Sequence, residues 1–590
     1  MRKRIIIILI LGSLLINFNC RKQNDYSKYN RQVTNLAVFA RLYGYIRFFY
    51  PSDEASKIDW NKFAIYGSEL VYNCSDNKEL IDSLKKLFSP IAPSNNFILS
   101  DKKKSVKVLK NKIEDENLMF WQHLGLEIKD TSNRYKKNAY ISQRVGTNTP
   151  SGKIFEHIPN KGASIKKEII PGVYCNIPIT LTKSYKLNRK DSAEKFKMLQ
   201  QQLSLIDDSV SVDNKFVRVA DIIITWNYVQ HFYPYFEVVK VDWEKILFET
   251  LASALQDKDR DEFLTTLQKM MAYLNDGHAI TKDLLARYGR LPIKIDLVEN
   301  QVIVTYSKDT SKFLVGDILL EINDKNIFEL LLEIGNKISG SKHWKKTYAL
   351  EQICIGDIAD DVEIKFLRNG DTLVCNSIMG HDKQLEIVRP KFKNLKNDII
   401  YVNLNRSSME DIYNQFDKLL KAKGIIFDLR IYPINNHQIL CHLINDKKLS
   451  QEWMQIPQII YPDHEFSGFK KRGWVLEPKF PQLEGEIVFL ISSRAISYTE
   501  SVLGFVEGYK LGEIIGQPTA GTNGNIVPFY LPGGFEVWFT GMKVIKHDGS
   551  QHHTIGIEPT VYVEKTIAGV KSGKDEYLEK AIEVINNKIN

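Results

Sequence analysis

Apolar positions recur at helical spacing in two separate stretches, Leu36, Phe39, Ala40 and Tyr43 in one and Val219, Ile222, Ile223 and Trp226 in the other. Each run stops at a Tyr-Pro step, Tyr50-Pro51 and Tyr233-Pro234, because proline disfavours helix in the residue before it. Between them, over 96–205, the pattern changes to alternation and β-formers at 105–109, 139–144 and 173–181, with a turn signal at 148–152. Alternation returns at 291–297 and 301–304, and again at 362–367 and 372–374, the last two flanking Asn369-Gly370. Asn-Gly suits a hairpin turn because both residues tolerate positive φ. From about 390 the pattern is different again: short apolar runs at 399–404, 424–429 and 486–491 predict buried strands. Helical stretches at 409–420 and 499–509 follow two of them. The predicted fold class is multidomain α+β with an α/β C-terminal core.

The two helical stretches are related. YGYIRFFYP at 43–51 falls on WNYVQHFYP at 226–234, an offset of 183 that continues without a gap. Asp59-Trp60 falls on Asp242-Trp243, Lys62 on Lys245, Glu79 on Glu262, Leu84 on Leu267 and Lys86 on Lys269. Such persistence predicts a duplicated helical unit. The second copy ends Leu274-Asn275-Asp276-Gly277-His278, where the first has Ile91, Ala92, Pro93, Ser94 and Asn95. His278 is therefore the property of one copy only. The expected segments are 21–95 and 206–288 for the two copies, 96–205 for an inserted β-domain, 289–385 for a β-rich module and 386–590 for the core.

Composition excludes some classes. With 43% hydrophobic and 26% charged residues the chain is neither disordered nor a polytopic membrane protein. The net charge is +9, but Arg2, Lys3 and Arg4 supply three of those charges, so the rest is too diffuse for a nucleic-acid footprint. Those three residues open a basic segment. A short apolar run, 5–16, follows, then Asn17-Phe18-Asn19 and Cys20 with a polar tether behind it. This arrangement resembles a bacterial lipoprotein signal over 1–20. It implies acylation of Cys20 and a lipid-anchored place in the cell envelope, on the periplasmic or outer-membrane face. The other five cysteines, Cys74, Cys175, Cys354, Cys375 and Cys441, show no metal-type spacing and read as buried apolar residues. In an exported protein they leave room for one disulfide, such as Cys354–Cys375.

Gly316-Asp317-Ile318-Leu319-Leu320-Glu321-Ile322-Asn323 is a turn, a strand and a second turn, and resembles the central hairpin of bacterial PDZ domains. In the core, three loops invite chemistry. Asp428-Leu429-Arg430 follows a strand; Ala495-Ile496-Ser497-Tyr498-Thr499-Glu500 leads from a strand into a helix; Gly516-Gln517-Pro518-Thr519-Ala520-Gly521 is a Gly-rich turn. A serine at a helix N-terminus is exposed beside backbone N–H groups that stabilise a developing oxyanion. The same position also suits a plain N-cap. The glycine-rich turn lacks the Gly-Lys-Ser/Thr ending of a phosphate cradle.

These loops, their order, and the Asp276-Gly277-His278 element ahead of a PDZ-like module resemble the tail-specific (C-terminal processing) serine peptidase family over about 210–590. The resemblance implies a ClpP/crotonase-like spiral core and hydrolysis of peptide bonds in peptides or proteins, with no cofactor and no metal. Thr522 stands where the processing-peptidase branch carries its lysine base, so the Ser/Lys pair is absent. The tricorn-like branch uses a histidine ahead of the PDZ module, which is His278 here, with Ser497 as nucleophile. That branch carries a late glutamate where this chain has His553; His552, His553 and Glu558 are the candidates for the third member. The N–H groups of Tyr498 and Ile434 are the expected oxyanion donors. His552-His553 has no third ligand at motif spacing, and no metal is expected there. Thr522 and His553 also sustain an alternative, a catalytically inactive relative that binds peptides or envelope proteins. The aromatic pair Phe120-Trp121 allows a weaker third reading, carbohydrate binding.

Overall fold

The computed structural model describes residues 30–93, 98–101, 118–128, 140–146, 152–182, 189–207, 211–381, 385, 389–444 and 449–589. The segment 1–20 with Cys20, the expected strand at 105–109 and most of the turn at 148–152 lie outside the described residues.

Three helices, Arg31–Phe49, Trp60–Tyr72 and Asn77–Phe88, are followed by three more at the same spacing, Lys215–Phe232, Trp243–Gln256 and Arg260–Ala272. Side-chain caps start them at matching places: Asp59 and Asp242, then Asp76 and Asp259, each accept N–H groups of the first turn. One bond recurs in both sets. The Tyr43 hydroxyl donates to the Trp60 carbonyl at 3.2 Å, and the Trp226 indole donates to the Trp243 carbonyl at 2.8 Å. The two long helices pack together, with Asn227 Nδ2 donating to the Ala40 carbonyl at 2.9 Å. Gly44 permits that approach, since a Cβ there would lie 1.8 Å from Asn227 Oδ1.

The stretch 96–205 does not close on itself. Ile98–Ser100, Val173–Pro178 and Ser164–Ile170 form one small antiparallel sheet. Leu118–Leu124 instead sits between Ile141–Val145 and Leu449–Ile459, so its sheet continues into the long hairpin Leu449–Ile459/Phe466–Leu476 of the C-terminal segment. The stretch ends in a helix, Arg189–Ser204. The tip of the hairpin reaches back to the helices: Tyr45 and Gln230 donate to the Asp463 carboxylate at 2.9 and 3.0 Å.

Residues 293–378 form an antiparallel sheet in the order Asp371–Ile378, Asp361–Arg368, Ile318–Ile322, Gln301–Ser307, Ile293–Val298, and the helix Lys342–Ile353 lies against its last strand. It has its own apolar core, including Leu291, Val302, Leu319, Leu350 and Phe366. Cys354 belongs to that core and Cys375 lies on an outer strand; both are free thiols, so the suggested Cys354–Cys375 disulfide is absent.

The C-terminal sheet runs Phe392–Asn394, Ile399–Asn403, Gly424–Asp428, Glu486–Ile491, Glu513–Gly516, Val561–Tyr562, parallel from the second strand onward. Its apolar runs serve two faces in alternation. Ile399, Tyr401, Ile426, Val488 and Leu490 meet Tyr577, Ala581 and Ile585 of the helix Glu576–Ile589 on one side. Ile400, Val402, Ile425, Phe427 and Phe489 join the main core on the other. The expected helix at 409–420 is two short ones, Met409–Tyr413 and Phe416–Lys421.

Candidate active site

The strand Glu486–Ile491 delivers the chain to Ser497, which caps the helix Tyr498–Tyr509. Ser497 has φ 61° and ψ −116°, a strained conformation for a residue with a Cβ. Such strain costs about 1–3 kcal/mol and persists only where the surroundings enforce it. Here Glu500 enforces it. This buried carboxylate accepts from Ser497 N–H at 3.3 Å and Thr522 N–H at 3.0 Å through Oε2. Through Oε1 it accepts from the Thr519 hydroxyl at 2.6 Å and Gly521 N–H at 2.7 Å. One side chain thus fastens the serine loop to the Gly-rich turn. His552 Nε2 lies 3.4 Å from the same carboxylate.

Thr522 carries the connection across to the histidine loop. Its carbonyl accepts from Ser497 N–H at 2.9 Å, and its hydroxyl accepts from Gly277 N–H at 2.8 Å. A Cβ on Gly277 would lie 2.9 Å from Thr522 Oγ1 and 3.3 Å from Ile496 Cδ1. The residues just ahead of His278 and Ser497 are therefore in contact. His278 is buried, and its Nδ1 lies 3.0 Å from Thr540 Oγ1. Burial pushes its pKa down, against the opposing pull of the Asp276 and Glu500 carboxylates, so the ring is neutral at neutral pH.

The helix Lys342–Ile353 closes over these loops. Ser341 at its N-cap donates to the Ala520 carbonyl at 2.8 Å, and Lys345 donates to Asn275 Oδ1 at 3.1 Å. Thr347 and Ser493 hydroxyls are 2.5 Å apart, and Arg494 pairs with Glu351 at 2.9 Å. On another side, Tyr432 and Trp474 rings pack on Tyr498 at 5.7 and 5.6 Å, and the Tyr498 hydroxyl meets His437 Nδ1 at 2.8 Å. Ile431, Tyr432 and Ile434 of this wall are exposed. Its base is rigid: Arg430 donates to Asp428 and Asp575, and Tyr401 donates to Asp428 at 2.7 Å. Burial alone would raise the Asp428 pKa; the Arg430 charge outweighs it and holds the carboxyl at about 2.

The remaining expected residues fall elsewhere. Ile434 N–H donates to the Leu404 carbonyl at 3.1 Å, so in this conformation it does not face an oxyanion; the residues after Pro433 turn back toward the neighbouring strand end. His553 Nε2 meets the Tyr233 hydroxyl at 3.2 Å and its ring stacks on Tyr235 at 3.9 Å, in a buried aromatic cluster. Its pKa is pushed down to about 4, chiefly by burial. Glu558 is exposed, and its charge acts on His343. The partner actually bonded to His278 Nδ1 is Thr540, which no sequence pattern announces because it lies at the end of a strand, Phe535–Thr540, far along the chain.

A serine on a strained turn at a helix N-terminus is thus joined through one threonine to Gly277, the residue before a buried histidine. Residues 398–563 match the model of Peptidase family S41, which supports a peptidase function and bears out the resemblance to the tail-specific peptidases. Among solved structures the chain is similar to mature CPAF, at 13% identity and a TM-score of 0.54, over 63% of this chain and 98% of that one. Mature CPAF complexed with lactacystin matches at 14% identity and a TM-score of 0.51, over 63% of this chain and 99% of that one. The tricorn protease matches at 16% identity and a TM-score of 0.36, over 64% of this chain and 37% of that one. The two CPAF structures share the fold. No curated protein matches the chain.

Proposed function

We propose that this chain is a serine peptidase that hydrolyses peptide bonds, with Ser497 as nucleophile and His278 as general base. The observation that carries the reading is the Thr522 junction, which ties Ser497 N–H and Gly277 N–H to one residue. In the proposed reaction His278 Nε2 takes the hydroxyl proton as Ser497 Oγ attacks the substrate carbonyl carbon. The N–H of Tyr498 and the helix N-terminus stabilise the oxyanion. The imidazolium then returns the proton to the leaving amine as the C–N bond breaks, and water hydrolyses the acyl-enzyme by the same base. Burial favours this cycle, since it keeps His278 neutral and able to accept a proton at pH 7.

The module 289–385 is read as PDZ-like, holding or gating peptide ends. Supporting this, a cleft between the outer strand Ile293–Val298 and the helix Lys342–Ile353 is lined by Arg290, Lys294, Glu351 and Arg494. The helical sets around 31–88 and 215–272 are read as copies of one unit, on the offset of their helices and their shared Tyr43–Trp60 and Trp226–Trp243 bonds. The N-terminal sequence supports an exported protein anchored to the bacterial envelope through acylated Cys20. A peptide-binding relative without turnover is the second reading, favoured by the Ile434 N–H that is bonded to Leu404.

A fluorophosphonate probe decides between them. Covalent labelling of the purified protein is expected, and its loss in both Ser497→Ala and His278→Ala. A folded wild type that neither takes the label nor cleaves peptides overturns the peptidase and leaves the binding protein. A Cys20→Ser change that leaves lipoprotein processing intact would remove the anchor.

A further inference from the structure

A general base works only if its proton sits on the right nitrogen. The chain of bonds behind His278 determines which nitrogen that is. Asp276 is fully buried and accepts three hydrogen bonds: from His278 N–H at 3.0 Å, from Thr540 N–H at 2.7 Å and from the Thr540 hydroxyl at 2.8 Å. Three donors converging on its two carboxyl oxygens match an acceptor-only carboxylate. The Thr540 hydroxyl has one proton, and that proton points at Asp276. Toward His278 Nδ1, 3.0 Å away, Thr540 Oγ1 can offer only lone pairs. Nδ1 must therefore be the donor, which leaves the lone pair on Nε2.

We propose that Asp276 and Thr540 are positioning residues that lock His278 in the Nδ1–H tautomer and so do the work expected of a late acidic residue. The inference rests on the reading of His278 as the base. The fold explains why a hydroxyl and an aspartate can do this from distant places in the sequence. The strand Thr281–Asp283, shortly after His278, pairs with Phe535–Thr540, and that pairing brings Thr540 to the His278 loop. Asp276 is fixed in turn by its own N–H, which donates to the Ser339 hydroxyl at 2.8 Å. The two nearby rings that sequence offered for the role are engaged elsewhere. His553 is bonded to Tyr233, and His552 faces Glu500.

The arrangement predicts a graded response. Thr540→Ser keeps the hydroxyl and should retain near-wild-type labelling and peptide turnover. Thr540→Val keeps the shape and removes the acceptor, and should lower both by about 10²-fold, within the range of general-base contributions. Asp276→Asn can reverse the Thr540 hydroxyl and should shift protons to Nε2, with a loss at least as large. The acid limb of the rate profile should move in Thr540→Val and return in Thr540→Ser, which a merely structural defect would not produce.

The tautomer is read separately from 15N chemical shifts of protein labelled at histidine, with His278 assigned by its absence in His278→Gln. A protonated Nδ1 and a bare Nε2 are expected in the wild type, and a mixture in Thr540→Val. A wild type protonated on Nε2 overturns the proposal, and so does a Thr540→Val protein with unchanged shifts and unchanged rates. Should no variant, including the wild type, take the fluorophosphonate label, the peptidase reading fails while the 15N result still decides the tautomer.

Discussion

At the scale of single residues, Thr522 shows how one position can exchange one role for another. The resemblance puts a lysine base there, yet the site is fully buried and its hydroxyl is bonded to Gly277 N–H. Thr522→Lys should therefore not create a Ser/Lys pair. It would place an ammonium among buried groups, lower the melting temperature and abolish labelling of Ser497. Thr522→Val leaves the Gly277 N–H without its acceptor at a cost of ~1–3 kcal/mol, and Thr522→Ser should restore stability. Urea unfolding of the three variants checks the order; a Thr522→Val protein as stable as wild type would remove the junction from the account. Glu500 is the more sensitive residue, because it alone gathers four donors from the Ser497, Thr519, Gly521 and Thr522 positions. Ser497 and His278 stand out in the sequence as candidates because each lies within a short motif with a local structural meaning. Thr540 does not, because only the pairing of two strands about 250 positions apart brings it to His278.

At the scale of elements, the helical periods locate the long helices, while the strand patterns name no sheet partners. The apolar spacing near Leu36 and Val219 locates the long helices, and the Tyr-Pro steps mark their ends at Phe49 and Phe232. No local signal reveals that Leu118–Leu124 pairs with Leu449–Ile459, since a strand's pattern states which face is buried and not which strand lies beside it. The expected helix at 409–420 breaks at Asn414-Gln415, where Gln415 opens the second short helix without a side-chain cap. The helix pair offers a test of how closely the two sets of helices approach. Gly44 meets Asn227, with Asn227 Oδ1 1.8 Å and His231 Nε2 2.7 Å from the place of an added Cβ. Gly44→Ala should force the long helices apart and destabilise the protein by ~1–3 kcal/mol, the usual cost of overpacking. Gly162, where nothing lies within 4 Å of an added Cβ, has φ 72° and is the poorer control; Gly152, also open and without positive φ, is the better one. Thermal unfolding of Gly44→Ala beside Gly152→Ala checks this, and equal midpoints would contradict the packing.

At the scale of the whole molecule, the helical pair, the small sheets and the C-terminal segment meet at a set of buried histidines. His123 bridges the Ser142 hydroxyl and the Phe48 carbonyl, each at 2.8 Å. His231 accepts the N–H of Asp463 at the hairpin tip at 3.2 Å. His553 joins the strand region after 544 to Tyr233 at the end of a long helix. Burial pushes His123 and His553 down to about 4 and His231 to about 3, from an ordinary value of 6.5. All three are neutral in the folded protein at pH 7, as they are in the unfolded chain. Below 6.5 the unfolded chain binds protons that the folded protein refuses. The stability they permit is complete above pH 6.5 and declines as the pH falls toward 4, by up to ~1.4 kcal/mol per pH unit for each histidine. Urea unfolding of the full chain between pH 7.5 and 4.5 should give a free energy that is flat above about 6.5 and falls steadily below it, as the ordinary histidine pKa requires. His123→Gln, which keeps polar groups for Ser142 and Phe48, should make that fall shallower. A free energy that stays level down to pH 4.5 would mean that these rings take up protons inside the fold. The joint between the helices and the peptidase segment would then be more open to water than its buried bonds describe.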